Sequence, residues 1–129
     1  LMKRAKELSR DYLQGRAVPS SVRWVDNMSS RWGSCTTGER TIRLSERLQS
    51  MPVWVVDYVL LHELTHLLEP SHNAKFWRWV DQFDKAERAK RKAALNQERE
   101  ALRARIKQVD EVLVRVRQLA PAGMPEEVE

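Results

Sequence analysis

Cysteine is almost absent from this chain of 129 residues: Cys35 is the only one. An intramolecular disulfide framework is therefore excluded, and a reducing compartment, the cytoplasm, is the expected setting. No apolar run approaches the roughly 18 residues that a membrane span needs, and no secretory signal opens the sequence. At 15.1 kDa the chain leaves little room for a second full domain. Histidine is scarce as well, with three in the chain, but all three lie within the stretch from His62 to His72. Against these shortages, hydrophobic residues make up 42% and charged residues 32%, which describes a real core under a heavily charged surface.

The formal net charge of +5 is unevenly placed. Residues 1–83 carry 12 Lys/Arg against 9 Asp/Glu, and residues 84–118 carry 11 against 6. The last eleven residues hold three glutamates and no cation. This distribution, with the patterning below, predicts a domain over 1–83, a charged helix over 84–120 and a flexible tail over 121–129.

Residues 2–13 read as a helix with Ala5, Leu8 and Tyr12 on one face, closed by Gly15 and Pro19. Residues 21–26 and 41–44 read as two short strands flanking a turn-rich segment over 31–38. Pro52 suits the first turn of a further helix running to about Leu68, and Asp57 favours its positive end. Its histidine face carries Val55, Tyr58 and Val59, and its far side carries Val56, Leu60, Leu64 and Leu67. A helix apolar nearly all round is normally buried. Glu69 precedes Pro70, which ends helical geometry there. A backing helix then opens at Ser71 or Asn73, with Phe76, Trp77, Val80 and Phe83 facing inward.

From Asp84 to Leu119 nothing breaks a helix. Apolar residues recur at Leu95, Leu102, Ile106, Val109, Leu113, Val116 and Ala120 in steps of three and four, interrupted at Arg99. The seam serves either self-association as a homodimer or packing onto the domain. The basic cluster Lys85 to Lys92 offers contacts to nucleic-acid phosphates. The i,i+4 pairs Asp81–Lys85, Asp84–Arg88 and Glu87–Arg91 favour a solvated helix face instead.

The stretch His62-Glu63-Leu64-Thr65-His66 sets two imidazoles four residues apart, one turn along a helix and about 40° around it. Both can reach one ion, and zinc accepts imidazole nitrogen in tetrahedral geometry. His72, just past the forced break at Pro70, supplies a third ligand. Three histidines with one open position describe a catalytic zinc site; a structural site would normally be filled by protein. Glu63 stands where a carboxylate can hold and deprotonate a metal-bound water. Without an ion, burying these side chains together would be costly. Arg31 is a candidate for meeting a carboxylate or phosphate of the substrate. Trp32 and Cys35 read as core, and Tyr58 as core in preference to an oxyanion partner.

Three segments together, Arg31-Trp32-Gly33-Ser34-Cys35, His62-Glu63-Leu64-Thr65-His66 and His72-Asn73-Ala74-Lys75-Phe76-Trp77, resemble the YgjP-like metallopeptidase family, a relative of the SprT-like zincins. The resemblance covers roughly residues 1–89. It implies an α+β, small zincin-like fold: a helix, a short antiparallel sheet, an active-site helix and a backing helix. It carries His62, His66 and His72 over as Zn2+ ligands and Glu63 as the catalytic glutamate. The family pattern has further strands before the helix that opens this sequence. Glu69 also stands where metzincins keep a glycine, although the histidine spacing matches theirs. The implied activity is zinc-dependent hydrolysis of a peptide or protein. The alternative that the family raises is a pyrophosphatase acting on a nucleoside triphosphate, UTP, since the same chemistry attacks either centre. A non-catalytic or nucleic-acid-binding module is the third reading.

Overall fold

In the computed structural model, which describes residues 1–119, helix α1 spans Met2–Tyr12. Strands β1 (Ser21–Val25), β2 (Gly33–Thr36) and β3 (Thr41–Ser45) follow, and helices α2 (Val53–Thr65) and α3 (Ala74–Leu119) complete the order. The chain divides into two compact units, Leu1–Arg88 and a second beginning at Ala89. The expected tail over 121–129 and the seam position Ala120 lie outside the described residues.

Ala5 and Leu8 on the inner face of α1 are fully buried. Gln14 and Gly15 then adopt positive φ (58° and 70°), so the chain reverses, as the sequence reading of Gly15 anticipates. The Gly15 amide donates to the Ser9 carbonyl and the Ser9 hydroxyl accepts from the Ala17 amide, sealing the turn. Against α1 lies α2, whose Leu60, Leu61 and Leu64 are wholly enclosed with Ile42 and Leu44 of β3. Burial of such side chains at about 25 cal/mol per Å² of apolar area is the main force holding these elements together. Asp57, expected at the positive end of this helix, lies beyond its first turn, which holds no acidic residue, and pairs with α1 instead. Its two carboxylate oxygens accept from Arg4 Nε and Nη2 at 2.8 and 2.7 Å, a bidentate clamp joining α1 to α2.

The sheet has three strands in the order β1-β3-β2, with β2 lying within the segment over 31–38 that the sequence pattern reads as turn. It is mixed, not wholly antiparallel: β1 runs parallel to β3, with Ser21 beside Thr41, while β2 runs antiparallel to it. Ser20 explains the parallel edge. Its amide donates to the Arg40 carbonyl and its hydroxyl to the Glu39 carbonyl, so β1 starts where β3 starts. The small polar residues of β2 look like turn in isolation. They are held because Arg43 on β3 donates to the hydroxyls of Ser34 and Thr36 across the ladder.

Past α2 the hydrogen bonds shorten to i→i−3, at Leu67 to Leu64 and Leu68 to Thr65, so the helix ends at Thr65, earlier than Leu68. One continuous helix then replaces the two expected over 71–119, since no glycine or proline interrupts it from Ala74 onward. Asn73 caps it, its side-chain oxygen accepting from the Phe76 amide at 2.9 Å. Phe76, Val80 and Phe83 are buried, and Phe83 meets Tyr12 edge-on at 5.2 Å. The expected Asp84–Arg88 pair forms at 3.1 Å. In the second unit every described residue from 89 to 119 is exposed. Among the described residues, no helix is long and apolar enough to cross a membrane.

Candidate metal centre

His62 projects from α2, His66 caps its C-terminal end, and His72 returns on the loop before α3. The Glu69-Pro70 break allows this return. One ring nitrogen from each histidine lies within 4.8 Å of the others. His62 Nε2 and His72 Nε2 are 3.1 Å apart. Two nitrogens bound tetrahedrally to one zinc at ordinary bond lengths stand roughly 3.3 Å apart, so this donor set fits a single ion. His66 Nδ1 lies 3.2 Å from the Glu69 carbonyl oxygen, to which it donates. That contact leaves the His66 Nε2 lone pair for the cluster, the usual way in which a ligand imidazole is oriented.

Electrostatics agree with neutral rings at His62 and His66. Burial, followed by the charges of His66 and His72, holds His62 down to about 4. Burial likewise lowers His66, against the backbone bond to Glu69.

Glu63 points to the sheet side of α2 and is 8% exposed. Burial pushes its carboxyl up to about 7, while the Arg31 guanidinium pulls the other way. Gly33 on β2 makes room for it. A Cβ there would meet Val59 Cγ1 at 3.0 Å, Glu63 Cγ at 3.1 Å and Glu63 Oε1 at 3.3 Å.

Phe76 and Trp77 flank the histidines. The buried Phe76 ring lies 4.8, 4.7 and 4.9 Å from the rings of His62, His66 and His72. Trp77 stacks on His72 at 5.8 Å and is exposed, so it faces the cluster's open side instead of the core. Trp32 is also exposed, its ring covered by the Arg47 guanidinium at 4.2 Å. Both tryptophans therefore depart from the inward placement expected of them. Their apolar character is satisfied by a neighbouring ring or cation at the surface. Cys35 packs against the core as expected, with burial and then Glu63 pushing its thiol up to about 11. Tyr58 packs there too, 6.3 Å from Phe83.

The structure thus gathers His62, His66 and His72, and keeps Glu63 beside them on α2. Arg31 is exposed and is felt at the site through its charge on Glu63. Sequence periodicity did not single out Gly33, or Phe76 as the floor beneath the histidines. Both act through neighbours far along the chain. A glycine between tryptophan and small residues, at the first position of a strand, is the one local sign of the close approach at Gly33.

The YgjP-like metallopeptidase domain family matches residues 3–98, extending past the expected end near 89. Among solved structures, the metallopeptidase zymogen of Pyrococcus abyssi, abylysin, has a similar fold, with a TM-score of 0.53 and 24% identity. The similarity covers 63% of this chain and 77% of that one. No curated protein shows significant similarity. With three quarters of its length inside the family's domain, this chain belongs to the YgjP-like metallopeptidases.

Proposed function

We propose that the chain is a zinc-dependent peptidase in which His62, His66 and His72 hold the ion and Glu63 is the general base. The observation that carries this reading is the convergence of three histidine nitrogens within 4.8 Å, with a buried carboxylate, Glu63, adjoining His62 in the chain. When bound at three histidines, zinc supplies Lewis acidity, lowering the pKa of a water and polarising a substrate carbonyl.

Everything else falls to the chain's own side chains. Glu63, its proton affinity raised by burial, takes the proton of the attacking water and passes it to the leaving amine. Gly33 leaves room on β2 for that side chain. The Phe76 ring excludes water from beneath the histidines and fixes their planes. Arg31 supplies a cation on the same side for a substrate carboxylate.

A peptide substrate is favoured over a nucleotide by β2. Among the described residues it pairs only with β3, so its other edge is open for an extended peptide to add as a strand next to Glu63. The competing pyrophosphatase reading requires binding groups for a triphosphate, and among the described residues Arg31 is the cation whose charge acts on Glu63.

The test is hydrolysis of a fluorogenic peptide library by the zinc-loaded protein, alongside Glu63→Gln. Activity reduced at least about 1,000-fold in the variant, with metal retained, is the expected result. Release of pyrophosphate from UTP, dependent on Glu63 and without peptide cleavage, would replace the peptidase reading with the nucleotide one.

A further inference from the structure

Among the described residues, the second unit presents an exposed apolar stripe. Leu95, Leu102, Ile106, Val109, Leu113 and Val116 are each between 47% and 61% exposed, along a helix that continues unbroken to Leu119. A single exposed helix gains little from propensity alone, and a stripe of this regularity is normally covered. The steps of three and four place Arg99, Ile106 and Leu113 at heptad position a, and Leu95, Leu102, Val109 and Val116 at d. The residues that flank this seam then say what covers it. At position g stand Glu98, Arg105 and Val112; at position e stand Arg103, Asp110 and Arg117.

We propose that residues 95–119 form a parallel, in-register two-stranded coiled coil with a second copy of the chain. In that arrangement each g residue faces the e residue five positions later on the other helix. Glu98 then meets Arg103 of the second copy, and Arg105 meets its Asp110. By symmetry each pairing occurs twice, giving four attractive contacts, and no g–e pair joins like charges. Antiparallel pairings do worse. They oppose e to e and g to g, and the best register, with Ile106 against Val109, leaves only Arg103–Asp110, made twice. Shifting that register by one heptad in either direction brings Arg103 against Arg103 or against Arg117.

Arg99, the one polar residue at a, also fits the parallel arrangement. An a side chain packs against the preceding g residue of the other helix, here Glu98, which offsets its charge. A single polar a position commonly sets the register of such a pair.

Sedimentation equilibrium of the full chain in about 0.15 M salt, where longer-range repulsion between the basic helices is screened, tests this. A reversible dimer is expected. Arg103→Glu should weaken it by roughly tenfold or more, since two attractive contacts become repulsive. Glu98→Arg combined with Arg103→Glu in an Arg99→Leu background, which removes the charge that Glu98 also offsets, should regain affinity over Arg103→Glu in that background. Orientation is read separately from Arg99→Cys in a Cys35→Ser background. Mild oxidation should join identical positions into a covalent dimer, as only a parallel in-register pair allows. A chain that stays monomeric at every concentration, as one awaiting a different helical partner would, overturns the proposal. So does a dimer indifferent to Arg103→Glu, or one that fails to cross-link through residue 99.

Discussion

At Gly33 the side chain's absence is what the site uses. A methyl group there would press on Val59 and on the Cγ of Glu63, both inside ordinary contact distance. Gly33→Ala is therefore expected to displace the carboxylate by a few tenths of an ångström and to lower peptide turnover about tenfold, with metal content unchanged. Equal turnover in the two proteins would show that Glu63 has slack. Arg4 presents a different dependence. Asp57 is 4% exposed and owes its two strong hydrogen bonds to that one guanidinium. Arg4→Ala leaves a buried carboxylate without them and should lower stability by about 2–4 kcal/mol, read from the urea midpoint, less than for a wholly enclosed pair because Arg4 is partly exposed. A change below about 0.5 kcal/mol would mean that water replaces the guanidinium. His62 and His66 were legible in the sequence because helical spacing puts them on one face, and Glu63 because it stands between them in the motif. The Arg4–Asp57 clamp was not, since its partners lie 53 residues apart and neither belongs to a pattern.

Among the elements, the two helices that frame the site were readable from apolar spacing and from Pro52 and Asn73. The sheet was readable only in part. β1 and β3 carry the Val, Trp, Ile and Leu residues that signal strands, whereas β2 is Gly-Ser-Cys-Thr and exists because β3 supplies partners for its backbone and hydroxyls. Parallel pairing of β1 with β3 depends on the Ser20 contacts, which no local pattern encodes. The start of α3 offers an element-scale test. Asn73 holds the Phe76 amide, and Phe76 lies beneath all three histidines. Asn73→Ala is expected to cost about 1 kcal/mol in thermal or chemical denaturation and to weaken metal retention as the first turn frays. Zinc affinity equal to that of the unmodified chain would separate the cap from the site.

In the molecule as a whole, the unit Leu1–Arg88 contains every residue of the candidate metal centre, and the family's domain covers it from residue 3 onward. The chemistry we propose for it rests on three imidazoles, His62, His66 and His72, that converge on one point, with the buried Glu63 following His62 on α2. The second unit adds a helix whose stripe and flanking charges suit another copy of itself, and it contributes nothing to that centre among the described residues. The central claim is the three-histidine site, and elemental analysis of the purified chain tests it most directly, comparing the unmodified protein with His72→Ala, both prepared without added metal or chelator. About one zinc per chain, clearly lost in His72→Ala while the fold persists by circular dichroism, is the expected result. A folded, unmodified protein that carries no metal and takes up none when zinc is added would contradict it.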